Sequence, residues 1–209
     1  MTLNKLCVLI PARNCAPFLS EILSRITFDH PDDEVIIVDD YSDDKTFEVA
    51  KSLDRVHVER NPRQMGYGGT SKQAYKIALE RGANFAVNIH GDLGHPPEAV
   101  PALAEALRSG ECDVVLGSRY IYLRDQARTN GFRSLLKSKN RGNMPFSRIA
   151  GHASLTAVQN ILYGTNYHSF HEGMRGVTRD FMEWSVNQSF PNWYDYDTHL
   201  IVAAHRAGW

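Results

Sequence analysis

Residues 34–40 read Glu34-Val35-Ile36-Ile37-Val38-Asp39-Asp40. Val35 to Val38 offer no polar face, so a strand made of them is buried on both sides, as the strands of parallel sheets are. Two carboxylates follow at once. Open α/β sheets bind their ligands outside the carboxyl ends of the strands, which is where Asp39 and Asp40 would stand. Working outward, residues 6–10 form another apolar run, ended by Pro11, and residues 56–58, 85–89 and 114–116 read as three more strands. Helical spacing fills the gaps. Phe18, Leu19, Ile22, Leu23 and Ile26 share one face of residues 17–26. Residues 42–53 follow with Ser42 or Asp43 as N-cap, then 70–81 closed by Gly82, then 98–108 opened by Pro96-Pro97 and closed by Gly110. This alternation predicts an α/β fold: an open, mainly parallel, Rossmann-like sheet with helices on both faces.

The chain has 209 residues, enough for a single domain with a sizeable core. Its net charge of −1 gives no electrostatic footprint for a nucleic-acid partner. Cys7, Cys15 and Cys112 are far apart and match neither a disulfide framework nor a zinc spacing, so a reducing cytoplasmic setting is expected. The N-terminal apolar run is too short for a signal peptide, and no stretch reaches the roughly 18 apolar residues of a membrane span. Residues 119–144 are polar and irregular and carry Arg119, Arg124, Arg128, Arg133, Lys137, Lys139 and Arg141, which predicts a basic loop, either functional or disordered. Helical patterns return at 148–162, 178–186 and 197–207. Phe146, Leu155, Val158, Ile161 and Leu162 read as a core face, with a helix lying on a membrane surface as the alternative. Asp195 and Asp197 read as caps of the last helix and Gly208 as its C-cap. The abrupt ending reads as a trimmed or naturally short form.

The strand ends carry the chemistry. They are Pro11-Ala12-Arg13-Asn14, Asp39-Asp40-Tyr41-Ser42-Asp43, His90-Gly91-Asp92-Leu93-Gly94-His95-Pro96-Pro97 and Gly117-Ser118-Arg119-Tyr120. Asp39 and Asp40 can accept hydrogen bonds from a base or ribose. Asp92 with His90 can hold a divalent cation against a diphosphate: Mg²⁺ favours oxygen ligands, and Mn²⁺ tolerates imidazole better. Gly91 lets the chain turn between them. Arg119 offers a planar fork to phosphate oxygens. Gly66-Tyr67-Gly68-Gly69 leads into a helix N-terminus and suits an anion, though it lacks the spacing of a Walker loop.

The runs LIPARN, EVIIVDDYSDDKT, RNPRQMGYGGTSKQAYKIALERG, IHGDLGHPPEAVPALAEAL and DVVLGSRY, in that order over residues 6 to about 120, resemble a family 2 glycosyltransferase. The later FHEGMRGVTRD is similar to that family's acceptor-side motif, and HGD…HPP with GSRY is similar to its polyprenyl-phosphate sugar synthase branch. The resemblance implies the GT-A fold, a UDP- or GDP-sugar donor and inversion at the anomeric carbon. It implies a nucleotide-sugar half over 1–120 and an acceptor-side half over 121–209, with the basic loop at about 121–146. Pro11, Ala12, Asn14, Asp39, Asp40 and Gly91, together with Gly66 and Lys72, would bind the donor. Asp92 would be the second aspartate of the metal motif. His90 stands where the first usually is, and Gly94 where the synthases often carry a metal-assisting glutamine. Mn²⁺ or Mg²⁺ is the expected cofactor. Arg119, His171, Glu172 and Arg175, with Asp92, are the catalytic candidates.

An alcohol acceptor needs a general base, because its proton is held at a pKa of roughly 15, like that of water. A phosphate, with its second pKa near 6, is already a dianion and needs only charge neutralisation. Glu172 and His171 are not in the usual place for a base, and the basic loop offers phosphate partners. A polyprenyl-phosphate acceptor, met at the cytoplasmic face of a membrane, is therefore favoured over a saccharide hydroxyl. A non-catalytic nucleotide-sugar-binding module is the alternative of a different class. A nucleotidyltransferase would need a glycine-rich arginine loop after the first strand, which Pro11-Ala12-Arg13-Asn14 is not.

Overall fold

The computed structural model describes residues 4–118, 146–170 and 173–209. The chain divides into two compact units, Met1–Leu116 with Gly173–Trp209, and Gly117–Glu172.

In the first unit, strands β1 (Leu6–Ala12), β2 (Glu34–Asp39), β3 (Val56–Arg60), β4 (Phe85–Asn88), β5 (Val114–Leu116) and β6 (Arg175–Thr178) form a sheet of order β3-β2-β1-β4-β6-β5. β3, β2, β1 and β4 pair in parallel, while β6 lies antiparallel between β4 and β5. Helices α1 (Ala16–Arg25), α2 (Thr46–Lys51), α3 (Gly66–Glu80), α4 (Val100–Arg108), α6 (Arg179–Val186) and α7 (Tyr196–Ala207) cover the sheet. Because side chains alternate along a strand, Leu6, Val8 and Ile10 face α1, α2 and α4 on one side. Cys7, Leu9, Ile36 and Val38 face α3, α6 and α7 on the other. The unbroken apolar runs read from the sequence are thus strands buried on both faces. The strand order reverses direction between β1 and β4, and the carboxyl ends of these two strands flank that switch point.

Three local expectations are corrected. Helix α3 begins at Gly66, not near residue 70. Helix α2 begins at Thr46, and neither Ser42 nor Asp43 caps it: Asp44 accepts the Thr46 N–H at 2.9 Å. Strand β6 had no counterpart in the sequence reading. Its four residues, Arg175-Gly176-Val177-Thr178, are too few and too mixed to show alternation. Gly208 ends α7 in the left-handed conformation at φ 83°, as a C-cap should.

In the second unit, α5 (Phe146–Tyr163) ends at Gly164, whose φ is 68°. Asn160 staples the chain that follows, its Oδ1 accepting from Thr165 Oγ1 at 2.7 Å and the Tyr167 N–H at 2.9 Å. Of the row read as core, the Phe146 side chain lies outside the described residues and the other four are not buried. Leu155 and Val158 are exposed, and Ile161 and Leu162 are 82% and 71% exposed. Helical spacing reports a shared face, not what covers it.

Candidate active site

The strand ends β1, β2 and β4 converge on an open pocket of about 210 Å³. Pro11, Ala12, Arg13 and Cys15 line it from the first strand end and Asp40 from the second. Gln64, Gly66, Tyr67 and Thr70 come from the start of α3, His90, Gly91 and Asp92 from beyond β4, and Trp193 and Tyr194 from the loop before α7. Asn14, Tyr41 and Leu93 each hold a left-handed backbone, at φ 53°, 58° and 59°, one in each of the three strand-end loops. Such conformations are uncommon for side-chain-bearing residues and cluster at functional sites.

The two adjacent carboxylates have different tasks. Asp39 is fully buried. It accepts from the Ser42 N–H at 3.2 Å and from the Ser42 hydroxyl, and pairs with Arg60 Nε at 3.2 Å. It braces the loop and does not line the pocket. Asp40 does line it, and it also caps α3: Oδ1 accepts from the Met65 N–H at 2.6 Å and from Asn61 Nδ2 at 2.8 Å, and Oδ2 from the Gly66 N–H at 2.9 Å. The anion at this helix N-terminus is therefore the protein's own carboxylate, which corrects the reading of Gly66-Tyr67-Gly68-Gly69 as an anion-binding lead. Asn14 is likewise turned to internal work. Its N–H donates to Ser42 Oγ and its Oδ1 accepts the Asp43 N–H, each at 2.9 Å, and it is not among the lining residues.

Beyond β4 the chain turns at Gly91, where a Cβ would meet Cys15 Sγ at 3.0 Å. Asp92 is exposed, and among the described residues its Oδ1 accepts the local Gly94 N–H at 2.9 Å. Its carboxylate is open to the pocket. His90 is held differently. Tyr67 meets its ring edge-on at 5.3 Å, the His95 ring lies at 4.3 Å, and Nε2 presses on Gly173, where a Cβ would come within 2.0 Å. That nitrogen is buried against backbone, so the role expected for His90 as a second metal ligand does not fit through Nε2. Among the described residues no group of three His, Cys, Asp or Glu side chains is gathered for a cation. Asp92 alone still fits one, because Mg²⁺ is commonly held by one or two carboxylates and completed by substrate phosphates.

Arg175 is not among the residues that line the pocket. It is 1% exposed, and its guanidinium donates to Asp197 and, through Nε, to Tyr75 Oη at 2.9 Å. Burial opposes its charge, but Asp197 together with the hydroxyls of Tyr75, Tyr67 and Tyr196 outweighs that and holds the guanidinium above its ordinary range. Asp197 also accepts from Tyr67 Oη at 3.3 Å, so its expected capping role is corrected as well. Asn88 Nδ2 donates to the Gly173 carbonyl at 2.8 Å and to Tyr67 Oη at 3.3 Å, joining β4 to the same network. Burial, then the Asp197 charge, push the Tyr67 hydroxyl well above its usual range, so it stays a neutral donor. Lys72, expected near the donor, instead donates to the Phe190 carbonyl at 2.7 Å and Asn192 Oδ1 at 2.6 Å.

The structure thus brings Pro11, Ala12, Asp40, Gly66, His90, Gly91 and Asp92 together. Asn14, Asp39, Lys72 and Arg175 support the surroundings. Arg119, His171 and Glu172 lie outside the described residues. Sequence reasoning missed Tyr67, Gln64, Thr70, Cys15, Trp193 and Tyr194 as lining residues. Only Trp193-Tyr194 carried a signal, two large aromatic residues in a polar loop.

The chain resembles known proteins in sequence and in fold. The chain is 35% identical over 119 residues to the dolichol-phosphate mannosyltransferase of Pyrococcus furiosus, a match covering 56% of this chain and 34% of that protein. It is 27% identical over 181 residues to the polyprenol monophosphomannose synthase of Mycolicibacterium smegmatis, covering 84% and 62%. It is 33% identical over 121 residues to the undecaprenyl-phosphate mannosyltransferase of Micrococcus luteus, covering 56% and 49%. The chain therefore spans from one third to under two thirds of the length of these relatives. The glucosyl-3-phosphoglycerate synthase of Mycobacterium tuberculosis, solved with Mn²⁺ and UDP, superposes with a TM-score of 0.70 at 16% identity over 98% of this chain and 66% of that one. The shared fold is the GT-A fold. With the model for Glycosyl transferase family 2 matching residues 7–180, the chain belongs to that family.

Proposed function

We propose that this chain transfers a sugar, with inversion, from a nucleotide-sugar donor seated in the pocket to a polyprenyl phosphate. The observation that carries the reading is the open carboxylate of Asp92 at the switch point of the sheet, in a pocket that Pro11, Ala12 and Asp40 also line. The nucleoside would lie at the ends of β1 and β2, and the diphosphate beside His90-Gly91-Asp92. Asp92 would hold Mn²⁺ or Mg²⁺ together with the diphosphate oxygens. When bound, the cation supplies Lewis-acid neutralisation of the leaving nucleoside diphosphate. His90, walled in by Tyr67, His95 and Gly173, shapes the site without adding a second negative charge.

A phosphate acceptor is supported by three relatives whose names specify lipid phosphates. It is supported too by the basic run from Arg119 to Arg141 and by the exposed apolar row Leu155, Val158, Ile161 and Leu162 on α5, which suits the headgroup boundary of a bilayer. Among the described residues no helix is long and apolar enough to cross a membrane. The contact we propose is peripheral, at the cytoplasmic face. The test is transfer from radiolabelled UDP- and GDP-sugars, with Mn²⁺ or Mg²⁺, to a polyprenyl phosphate or a soluble sugar. Lipid-linked product that chelator abolishes is expected. Asp92→Ala should lower the rate at least about a hundredfold while its melting temperature stays within about 2 °C of wild type, a shift worth under 1 kcal/mol. Labelling of the soluble sugar alone overturns the acceptor, and full activity of Asp92→Ala overturns the metal role.

A further inference from the structure

The exposed wall of the pocket is aromatic. Trp193 and Tyr194 stand on the loop between α6 and α7 and are 55% and 84% exposed. Large aromatic side chains exposed together mark contact surfaces. The backbone that carries them is firmly held. Lys72 Nζ donates to the Phe190 carbonyl and to Asn192 Oδ1, the Gly69 N–H donates to the Asn192 carbonyl at 3.0 Å, and the Tyr196 N–H donates to the Trp193 carbonyl at 3.1 Å.

The glycines of α3 make the seat. A Cβ on Gly66 would lie 2.5 Å from the Asn192 carbonyl oxygen and 2.8 Å from the Trp193 ring, and one on Gly68 would lie 2.6 Å from the Pro191 carbonyl oxygen. The Gly66-Tyr67-Gly68-Gly69 run therefore docks residues 190–194, and Lys72 latches them. Rigid aromatic rings on a fixed backbone offer contact area at little cost in conformational entropy.

The position of Tyr194 indicates which part of a ligand it meets. Its ring is nearly parallel to that of Tyr67, 10° apart with centroids at 6.2 Å, and Tyr67 in turn meets the edge of His90. Through Tyr67 the ring is thus joined to the side of the pocket that His90 occupies. If the diphosphate lies beside Asp92, the group on its far side from the nucleoside is the sugar. A pyranose has an apolar C–H face with hydroxyls at its rim, which matches an amphipathic tyrosine ring.

We propose that Tyr194, with Trp193 beside it, forms the face on which the donor's sugar ring lies, so that the 190–194 loop selects the sugar. This rests on the donor-site reading above. The test is calorimetric titration, in Mn²⁺, of wild type, Tyr194→Ala and Tyr194→Phe with UDP, GDP, UDP-glucose, UDP-N-acetylglucosamine and GDP-mannose. Both substitutions change an exposed side chain and leave the core intact. In Tyr194→Ala the best-bound nucleotide sugar should weaken about fivefold to tenfold, while its parent nucleoside diphosphate stays within about twofold, near the limit of such a comparison. Tyr194→Phe should restore most of the loss. Equal weakening of both ligands would assign the ring to the base, and no weakening of either would leave it without a ligand; each overturns the inference. A wild type that binds none of the five refutes the donor site itself.

Discussion

The buried pair Arg175–Asp197 ties β6 to α7 and, through Tyr75 and Tyr67, to α3. Asp197→Asn leaves the guanidinium at 1% exposure with no countercharge. Breaking a buried ion pair from one side costs about 3–5 kcal/mol, against a typical total stability of about 5–15 kcal/mol. For a chain of 209 residues, about 3 kcal/mol lowers the melting temperature by roughly 6–12 °C. Arg175→Met, which strands the carboxylate, should cost a similar amount. The double variant should cost at least about 2 kcal/mol less than the sum of the singles, since the two groups share one interaction. Thermal and urea unfolding followed by circular dichroism would measure all three. A melting temperature for Asp197→Asn within about 2 °C of wild type, or strict additivity in the cycle, would refute the claim that this pair stitches the elements together.

Two further outcomes are expected. Asp40→Ala removes a carboxylate that accepts from Met65, Gly66 and Asn61, so stability should fall by about 1–3 kcal/mol, as for a lost cap with buried donors left behind; unchanged urea unfolding would show that Asp40 is only a pocket wall. Burial pushes the Cys15 thiol up to about 11, so iodoacetamide at pH 8 should modify native Cys15 more than roughly a hundredfold more slowly than a free cysteine. Mass spectrometry should find the less buried Cys112 labelled first, and the reverse order would contradict the placement of Cys15.

The parallel core was legible because its signal is local. An apolar run such as Val35 to Val38 excludes a solvent-facing strand, and a change to paired acids or to His-Gly-Asp marks where the strand leaves the core. The roles of neighbouring acids were not legible. Asp39 and Asp40 are adjacent, yet one braces Arg60 and Ser42 while the other caps α3 and faces the pocket. Which of the two does which depends on strand parity and on where residues 60–66 return, and neither is written at positions 39 and 40.

Strand β6 and the 190–194 loop were hidden for a related reason. Arg175-Gly176-Val177-Thr178 becomes a strand because β4 and β5 offer it a slot, a tertiary pairing that overrides a weak local preference. Glycines 66, 68 and 69 read as an anion loop because glycine says only that something comes close. The structure shows that the something is the backbone of residues 191 and 192. Hydrophobic period and strand-end chemistry, which need only neighbours in the chain, thus determined the parallel strands, the edge of the sheet that carries the pocket and the place of Asp92. The partners of Arg175, Lys72 and His90 lie on elements distant in sequence, and only the folded chain decided that the first two brace the fold and that the third is walled in beside the open carboxylate of Asp92.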